Sequence, residues 1–108
     1  MIPLIIDTDM GNDIDDALAL IMAHSLESLG ECRLLGVAVN KANILAAVFV
    51  DIINTFYGRG DIPIGLIREG KTPENGFFLE QIAAASCAGG HKYKRTHNSY
   101  PLSGVSLY

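Results

Sequence analysis

The stretch PLIIDTDMGNDIDDALALIMA, residues 3–23, decides the fold, because a short apolar run in it changes abruptly into acidic residues and then into a helical pattern. Residues 3–7 predict a buried strand, since continuous apolar runs of this length that stop at polar residues are typical of one. Residues 13–28 predict a helix, with Asp13 and Asp16 placed to cap its first turn. The residues that recur at helical spacing are Leu18, Ile21, Met22, Ser25 and Leu26.

The alternation of strand and helix continues along the chain. Gly30 is expected to end the first helix and Gly58 the second. The further predicted elements are a strand at 33–39, a helix at 43–57, a strand at 62–67 that Pro63 and Gly65 weaken, and a helix within 76–87. The second helix is expected to bury Val48, Ile52, Ile53 and Phe56. The order predicts the α/β class, a parallel sheet with flanking helices, followed by a polar irregular tail at 88–108.

Composition excludes several functional classes. The chain has 108 residues, a formal net charge of −4 and 49% hydrophobic residues, so it lacks the basic balance of nucleic-acid or membrane-surface binding. No apolar run approaches the ~18 residues of a membrane span. Cys32 and Cys87 form no CxxC pair, which favours the reducing cytoplasm. We expect one cytoplasmic domain over 1–108, incomplete by itself, because three parallel strands need cover on both faces.

Five of the 12 acidic residues lie within residues 7–16, at the turn from the first strand into the first helix. Open α/β sheets bind their ligands at this edge. Two carboxylates about 5 Å apart repel by roughly 3 kcal/mol at an effective dielectric near 20. A divalent cation relieves that repulsion, and an all-oxygen set of ligands favours calcium or magnesium. Any one of these aspartates alone is explained by helix capping or by a solvated loop.

The sequence DTDMGNDIDDALAL resembles the N-terminal signature of the inosine-uridine-preferring nucleoside hydrolases, a DxDxGxDD pattern that runs into an Ala/Leu-rich helix. The form here has two extra residues, Asp13 and Ile14, before the paired aspartates. The resemblance extends through LLGVAVNKAN and INTFYGRGDIPIG and covers about residues 3–70. It implies the N-terminal part of a Rossmann-like nucleoside hydrolase fold, calcium as cofactor, a ribonucleoside substrate and a homo-oligomer, either dimer or tetramer.

The resemblance also implies roles for individual residues. Asp9 and Asp16 correspond to calcium ligands, and Asp9 is also placed to take a proton from the attacking water. Asp15 corresponds to the carboxylate that binds a ribose hydroxyl, and Asn43 to the asparagine that contacts the ribose. Asp7 corresponds to a supporting group behind these ligands. Together they would hydrolyse the N-glycosidic bond of ribonucleosides to ribose and free base.

Part of the family's site has no counterpart in this chain. Asn40 replaces Asn43 as the ribose contact if the register differs by one turn, and Asp13 in the insertion has no family counterpart. The family completes its calcium site and its leaving-group region with residues from much later in the chain. His24 is expected to be a partly exposed structural residue, while His91 and His97 match no family acid. The sequence therefore predicts half of a nucleoside hydrolase site.

Two other functions fit parts of the sequence. A magnesium-dependent phosphotransferase of the haloacid dehalogenase type also has a strand that ends in DxDx, with Asp7 as nucleophile and Asp9 as acid/base, but Met10 and Gly11 match it poorly. An inactive truncated domain that binds metal is the second alternative. The phosphate-loop pattern at 65–72 is contradicted by Pro73 directly after it, and the basic segment 91–97 is best explained as a solvated loop.

Overall fold

The computed structural model describes residues 1–10, 14–41 and 43–67. Its elements are β1 (Ile2–Thr8), α1 (Ile14–Ser28), β2 (Cys32–Val39), α2 (Ile44–Phe56) and β3 (Ile64–Leu66). The five elements predicted in this part of the chain are confirmed, each with bounds shifted by no more than two residues. The helix predicted within 76–87, the polar tail, the basic segment and most of the phosphate-loop pattern lie outside the described residues.

The three strands form one parallel sheet in the order β1-β2-β3. Thr8 pairs with Val39 and Val39 pairs with Leu66, so the carboxyl ends of all three strands meet at one edge. The third strand is short because Pro63 has no N–H for the ladder, although its carbonyl accepts the Val37 N–H at 3.0 Å. The architecture is a small α/β fold, compatible with a Rossmann-like arrangement.

Both helices lie on the same face of the sheet and pack against each other as well as against the strands. Leu20 from α1, Val50 from α2 and Val37 from β2 are fully buried between them. The sequential strand order explains this placement, because successive crossovers of one hand in one direction put their helices on one face. On the opposite face, Ile5 and Leu35 stay partly exposed.

The residues that α1 buries are not the apolar residues that recur most regularly along it. Leu18, Met22 and Leu26 are exposed, whereas Ala17, Leu20, Ala23 and His24 face the core. The small alanines let the helix approach the sheet closely, and the helix is apolar around most of its circumference. In α2 the residues predicted for the core are buried except Phe56, which is 78% exposed in the last turn. No helix in the described part of the chain has the length and apolar content that crossing a bilayer requires.

Both helices end where glycine was predicted. Gly30 and Gly58 have φ values of +81° and +75°, the left-handed region that glycine enters at low cost. After α2, the Gly58 N–H donates to the Thr55 carbonyl at 3.0 Å and the Arg59 N–H to the Asn54 carbonyl at 2.8 Å. This pair of bonds is a Schellman motif, which satisfies the last carbonyls of the helix.

Candidate functional site

The carboxyl edge of the sheet brings the ends of β1 and β2 together. The Asn40 N–H donates to the Thr8 carbonyl at 2.6 Å, which continues the ladder one step beyond the paired residues. Directly after Thr8, Asp9 is exposed and the Met10 side chain is completely buried, so Met10 anchors the chain as it leaves the strand. The backbone that carries the acidic residues is therefore fixed on both sides of Asp9.

Asp9 and Asp16 meet at this edge, although seven positions separate them in the sequence. The Asp9 side chain beside the Asp16 carboxyl is the main reason that the pKa of Asp16 is raised. Partial burial and the negative charge of Asp9 raise the pKa of Asp16 further, whereas the Thr8 hydroxyl and the Asp9 backbone lower it. The ionised form of Asp16 is therefore disfavoured beside a second carboxylate.

Thr8 lies behind this pair, and its side chain is enclosed, with 6% of its surface exposed. The hydroxyl faces Asp16 closely enough to act on its pKa. Among the residues that the structure describes, however, this hydroxyl forms no hydrogen bond of normal geometry. A buried hydroxyl with an unmet hydrogen bond is uncommon and calls for a physical explanation.

The other two aspartates proposed for the site lie apart from this contact. Asp7 is the next-to-last residue of β1 and is exposed. Asp15 is exposed in the first turn of α1, where a negative charge interacts favourably with the helix dipole. Asp13 lies outside the described residues. The structure thus brings together the two predicted metal ligands and leaves Asp7 and Asp15 facing solvent.

Asn43 has a local structural role. It is the N-cap of α2, with φ −146° and ψ 117°, and its side-chain oxygen accepts the Leu45 N–H at 2.9 Å. Its backbone N–H donates to the Lys41 carbonyl at 2.7 Å. Asn40, the alternative ribose contact, is exposed at the same edge. The ribose contact proposed for Asn43 stays a prediction. The amide oxygen of Asn43 already accepts a hydrogen bond from the first turn of α2.

Sequence reasoning missed Lys41, whose side chain is completely buried in the loop between β2 and α2. A lysine in the polar run NKAN after a strand is typical of a solvent-exposed loop, so no sequence signal marked it as enclosed. Its position places a cationic side chain within the loop that follows β2, at the edge where the acidic residues gather.

The opposite end of the helices holds a second polar cluster. The His24 Nε2 donates to the Asn54 side-chain oxygen at 2.7 Å, and the His24 ring stacks on Tyr57 with centroids 4.7 Å apart. The expectation that His24 is partly exposed is wrong, since only 1% of its surface is accessible. Burial lowers its pKa, against the opposing effects of Asn54 and Glu27.

An ion-pair network lies beside this histidine. Arg59 forms a salt bridge with Glu27 and another with Asp61, the latter at 3.0 Å, and also donates to the Leu34 carbonyl. Burial alone would raise the pKa of Glu27, but hydrogen bonds from Arg59 and from the Leu34 N–H outweigh it and lower the pKa. Glu27 therefore accepts the Leu34 N–H and Arg59 donates to the Leu34 carbonyl, at a residue of β2 that does not pair with β3.

The described side chains supply only part of a metal-binding set. Within residues 1–10, 14–41 and 43–67, no three His, Cys, Asp or Glu side chains are grouped so that they could hold a metal ion. Comparisons of the chain with protein-family models, with curated proteins and with solved structures find no match.

Proposed function

We propose that this chain carries the ribose-binding and cation-binding half of a calcium-dependent ribonucleoside hydrolase, with the Rossmann-like fold of that family. The observation that carries the proposal is the contact between Asp9 and Asp16, at the sheet edge where α/β folds bind ligands. The resemblance of residues 7–20 to the nucleoside hydrolase signature supplies the substrate class. By the same resemblance we propose a homo-oligomer, either dimer or tetramer, and from the cysteine usage we propose the cytoplasm as its location.

By the resemblance, two residues at this edge would contribute to a calcium site that other residues complete. Two carboxylates about 4 Å apart repel by roughly 4 kcal/mol at an effective dielectric of 20, and a divalent cation between them converts that repulsion into attraction. Calcium takes six to eight oxygen ligands, and carboxylates are the commonest charged ones. The buried Thr8 hydroxyl with its unmet hydrogen bond is a further polar group beside the pair. Asp9 and Asp16 would be the ligands, and the remaining ligands would come from other residues.

The proposed reaction assigns each side chain a task. Calcium, when bound, lowers the pKa of a coordinated water. Asp9 would accept a proton from the attacking water at a carboxylate oxygen, and Asp7 would support it electrostatically. Asp15 and Asn43 would bind hydroxyls of the ribose. Cleavage of an N-glycosidic bond develops positive charge on the ribosyl ring, and the surrounding carboxylates stabilise that charge.

Calcium binding and base release test this proposal separately. We expect calorimetric titration of the 108-residue chain to show calcium binding, and Asp9→Asn or Asp16→Asn to weaken it more than tenfold, because each removes a charged ligand. Glu31→Gln, which removes an exposed acid elsewhere, is the matched control and should bind as the unchanged chain does. Absence of calcium binding by the unchanged chain at millimolar concentration would contradict the proposal.

The release of free base from inosine and uridine is the second measurement. Within the described residues two carboxylates meet, and by the resemblance the leaving-group region lies elsewhere in the family's chains. This favours a second candidate function, a metal-binding domain without catalysis. Calcium binding without base release supports that candidate for the chain as it stands, whereas base release that Asp9→Asn abolishes supports the hydrolase.

A further inference from the structure

One face of α1 is apolar and points away from the sheet. Four large apolar residues on it recur at intervals of four and a fifth follows directly after the helix, and together they form the α1 stripe: Ile14, Leu18, Met22, Leu26 and Leu29. At 3.6 residues per turn, the stripe lies opposite Ala17, Leu20 and His24, which face the core. Its members are between 39% and 75% exposed, so this face of the helix is open to a partner.

We propose that the α1 stripe is the interface between two copies of this chain, with their α1 helices packed antiparallel across a twofold axis. This inference goes beyond the proposed function, because it names a surface and depends on neither calcium nor ribose binding. Residues at intervals of four form a ridge along a helix, and such ridges interlock with the grooves of a second helix in the commonest class of helix packing. A second copy supplies the same ridge, so the surface is complementary to itself.

The size of the α1 stripe suits a second copy. Five large apolar residues exposed to this extent offer about 500 Å² of surface, near the top of the range for the largest patch on a monomeric protein. Two copies would together bury about 1,000 Å², which reaches the lower limit for a specific protein–protein interface. The expected complex is therefore a dimer that dissociates at micromolar concentration, and not a permanent assembly.

The charges of α1 favour this partner and this orientation. The helix contains no lysine or arginine, so the stripe lacks the cations with which an amphipathic helix binds an anionic lipid surface. Asp15 is the acid that α1 exposes beside the stripe. An antiparallel pair keeps the two Asp15 side chains roughly 20 Å apart, well beyond the Debye length of about 8 Å. A parallel pair would bring them side by side, where they repel each other.

Sedimentation velocity of the full 108-residue chain, with a calcium chelator present, measures this association. We expect a monomer–dimer equilibrium with a dissociation constant of about 10 µM. Leu18→Glu should weaken dimerisation about tenfold or more, because the twofold axis buries the new charge twice. Ile44→Glu is the matched control, since Ile44 is exposed to the same extent as Leu18, 55%, but belongs to α2. It should change the dissociation constant by no more than about twofold, and circular dichroism checks that each variant is folded.

Cysteine substitutions test the antiparallel arrangement even if Leu18→Glu does not fold. Met22 lies at the middle of the stripe, so a twofold axis brings the two copies of Met22 together, whereas Ile14 lies at one end. Met22→Cys should therefore form a disulfide between copies under mild oxidation, and Ile14→Cys should not. Both variants keep Cys32 and Cys87, so the native cysteines contribute equally to the two results.

Three results overturn the inference. They are a chain that stays monomeric up to about 300 µM, an unchanged dissociation constant in folded Leu18→Glu, and a disulfide at Ile14→Cys as readily as at Met22→Cys. If Leu18→Glu instead destabilises a monomeric chain more than Ile44→Glu does, another segment of the same chain covers the stripe. A monomeric chain also contradicts the proposed homo-oligomer, whereas calcium binding and base release decide the rest of the proposed function separately.

Discussion

The two ends of the helical layer use charge in opposite ways. At the C-terminal end of α1, Glu27 and Arg59 are paired, and hydrogen bonds to the Leu34 backbone complete the network. At the N-terminal end, Asp9 and Asp16 lie beside each other with the same charge, and the neighbouring Thr8 hydroxyl forms no hydrogen bond with any described residue. A paired network stabilises the fold by itself, whereas like charges held together gain most when a cation arrives.

The largest expected effect tests the paired end. Arg59→Gln leaves the Glu27 carboxylate, with 14% of its side chain exposed, without its cation. Removing one partner of a buried pair costs up to 3–5 kcal/mol, and partial exposure reduces this, so we expect the free energy of unfolding to fall by about 2 kcal/mol. Urea unfolding at neutral pH measures the change.

Arg33→Gln is the matched control, since Arg33 is an exposed arginine of β2. It should alter the free energy of unfolding by no more than about 0.5 kcal/mol. Equal effects of the two substitutions would show that the paired end does not stabilise the fold through its charges, and the contrast between the two ends would then fail.

The sequence predicted the elements better than the packing. The run of residues 3–7 and the acids after it identified β1, the start of α1 and the sheet edge, because local patterns determine those features. The assignment of Asp9 and Asp16 as calcium ligands came from the family resemblance, and it stays a prediction. Asn43 was interpreted as a ribose contact, although an asparagine directly before an apolar helical run is also typical of an N-cap, as the structure shows.

What the sequence could not predict depends on contacts between elements. The burial of His24 requires Asn54 of α2 and Tyr57 directly after it, which lie about thirty positions away. Apolar residues lie on more than one side of α1, so the sequence allowed two choices of buried face. The buried face is the one that carries the small alanines. Within the described part of the chain, the Thr8 hydroxyl also lacks a hydrogen bond, and no local pattern marks it.

Acidification is expected to have a smaller effect on the free energy of unfolding, and it tests His24 beside the paired end. Its pKa is lower in the folded chain than the usual 6.5, so the unfolded chain takes up a proton first as the pH falls. The stabilising contribution is present above pH 6.5 and is lost as the pH falls below that value towards the folded-state pKa. We expect the free energy of unfolding to decrease by about 1 kcal/mol between pH 7 and pH 5.

His24→Gln separates this effect from other titrations, because a glutamine amide still donates to Asn54 but does not ionise. Urea unfolding of both chains at pH 7, 6 and 5 gives the comparison. The glutamine variant should lose less stability over this range than the unchanged chain. The same pH dependence in both chains would exclude His24 as its source.

The smallest expected effect tests the like-charge end without any metal. Removing one of two facing carboxylates should stabilise the fold, because the raised pKa of Asp16 reports that its ionised form is disfavoured beside Asp9. Asp16→Asn also removes a charge from the first turn of α1, where a carboxylate is favourable, and Asp15→Asn removes the equivalent charge at the preceding position. With a calcium chelator present at pH 7, we expect the free energy of unfolding to be about 0.5 kcal/mol higher for Asp16→Asn than for Asp15→Asn. The difference is small because both groups are partly solvated. If Asp16→Asn is the less stable of the two, the carboxylates do not repel each other in the folded chain, and the physical reason for a cation at this edge is lost.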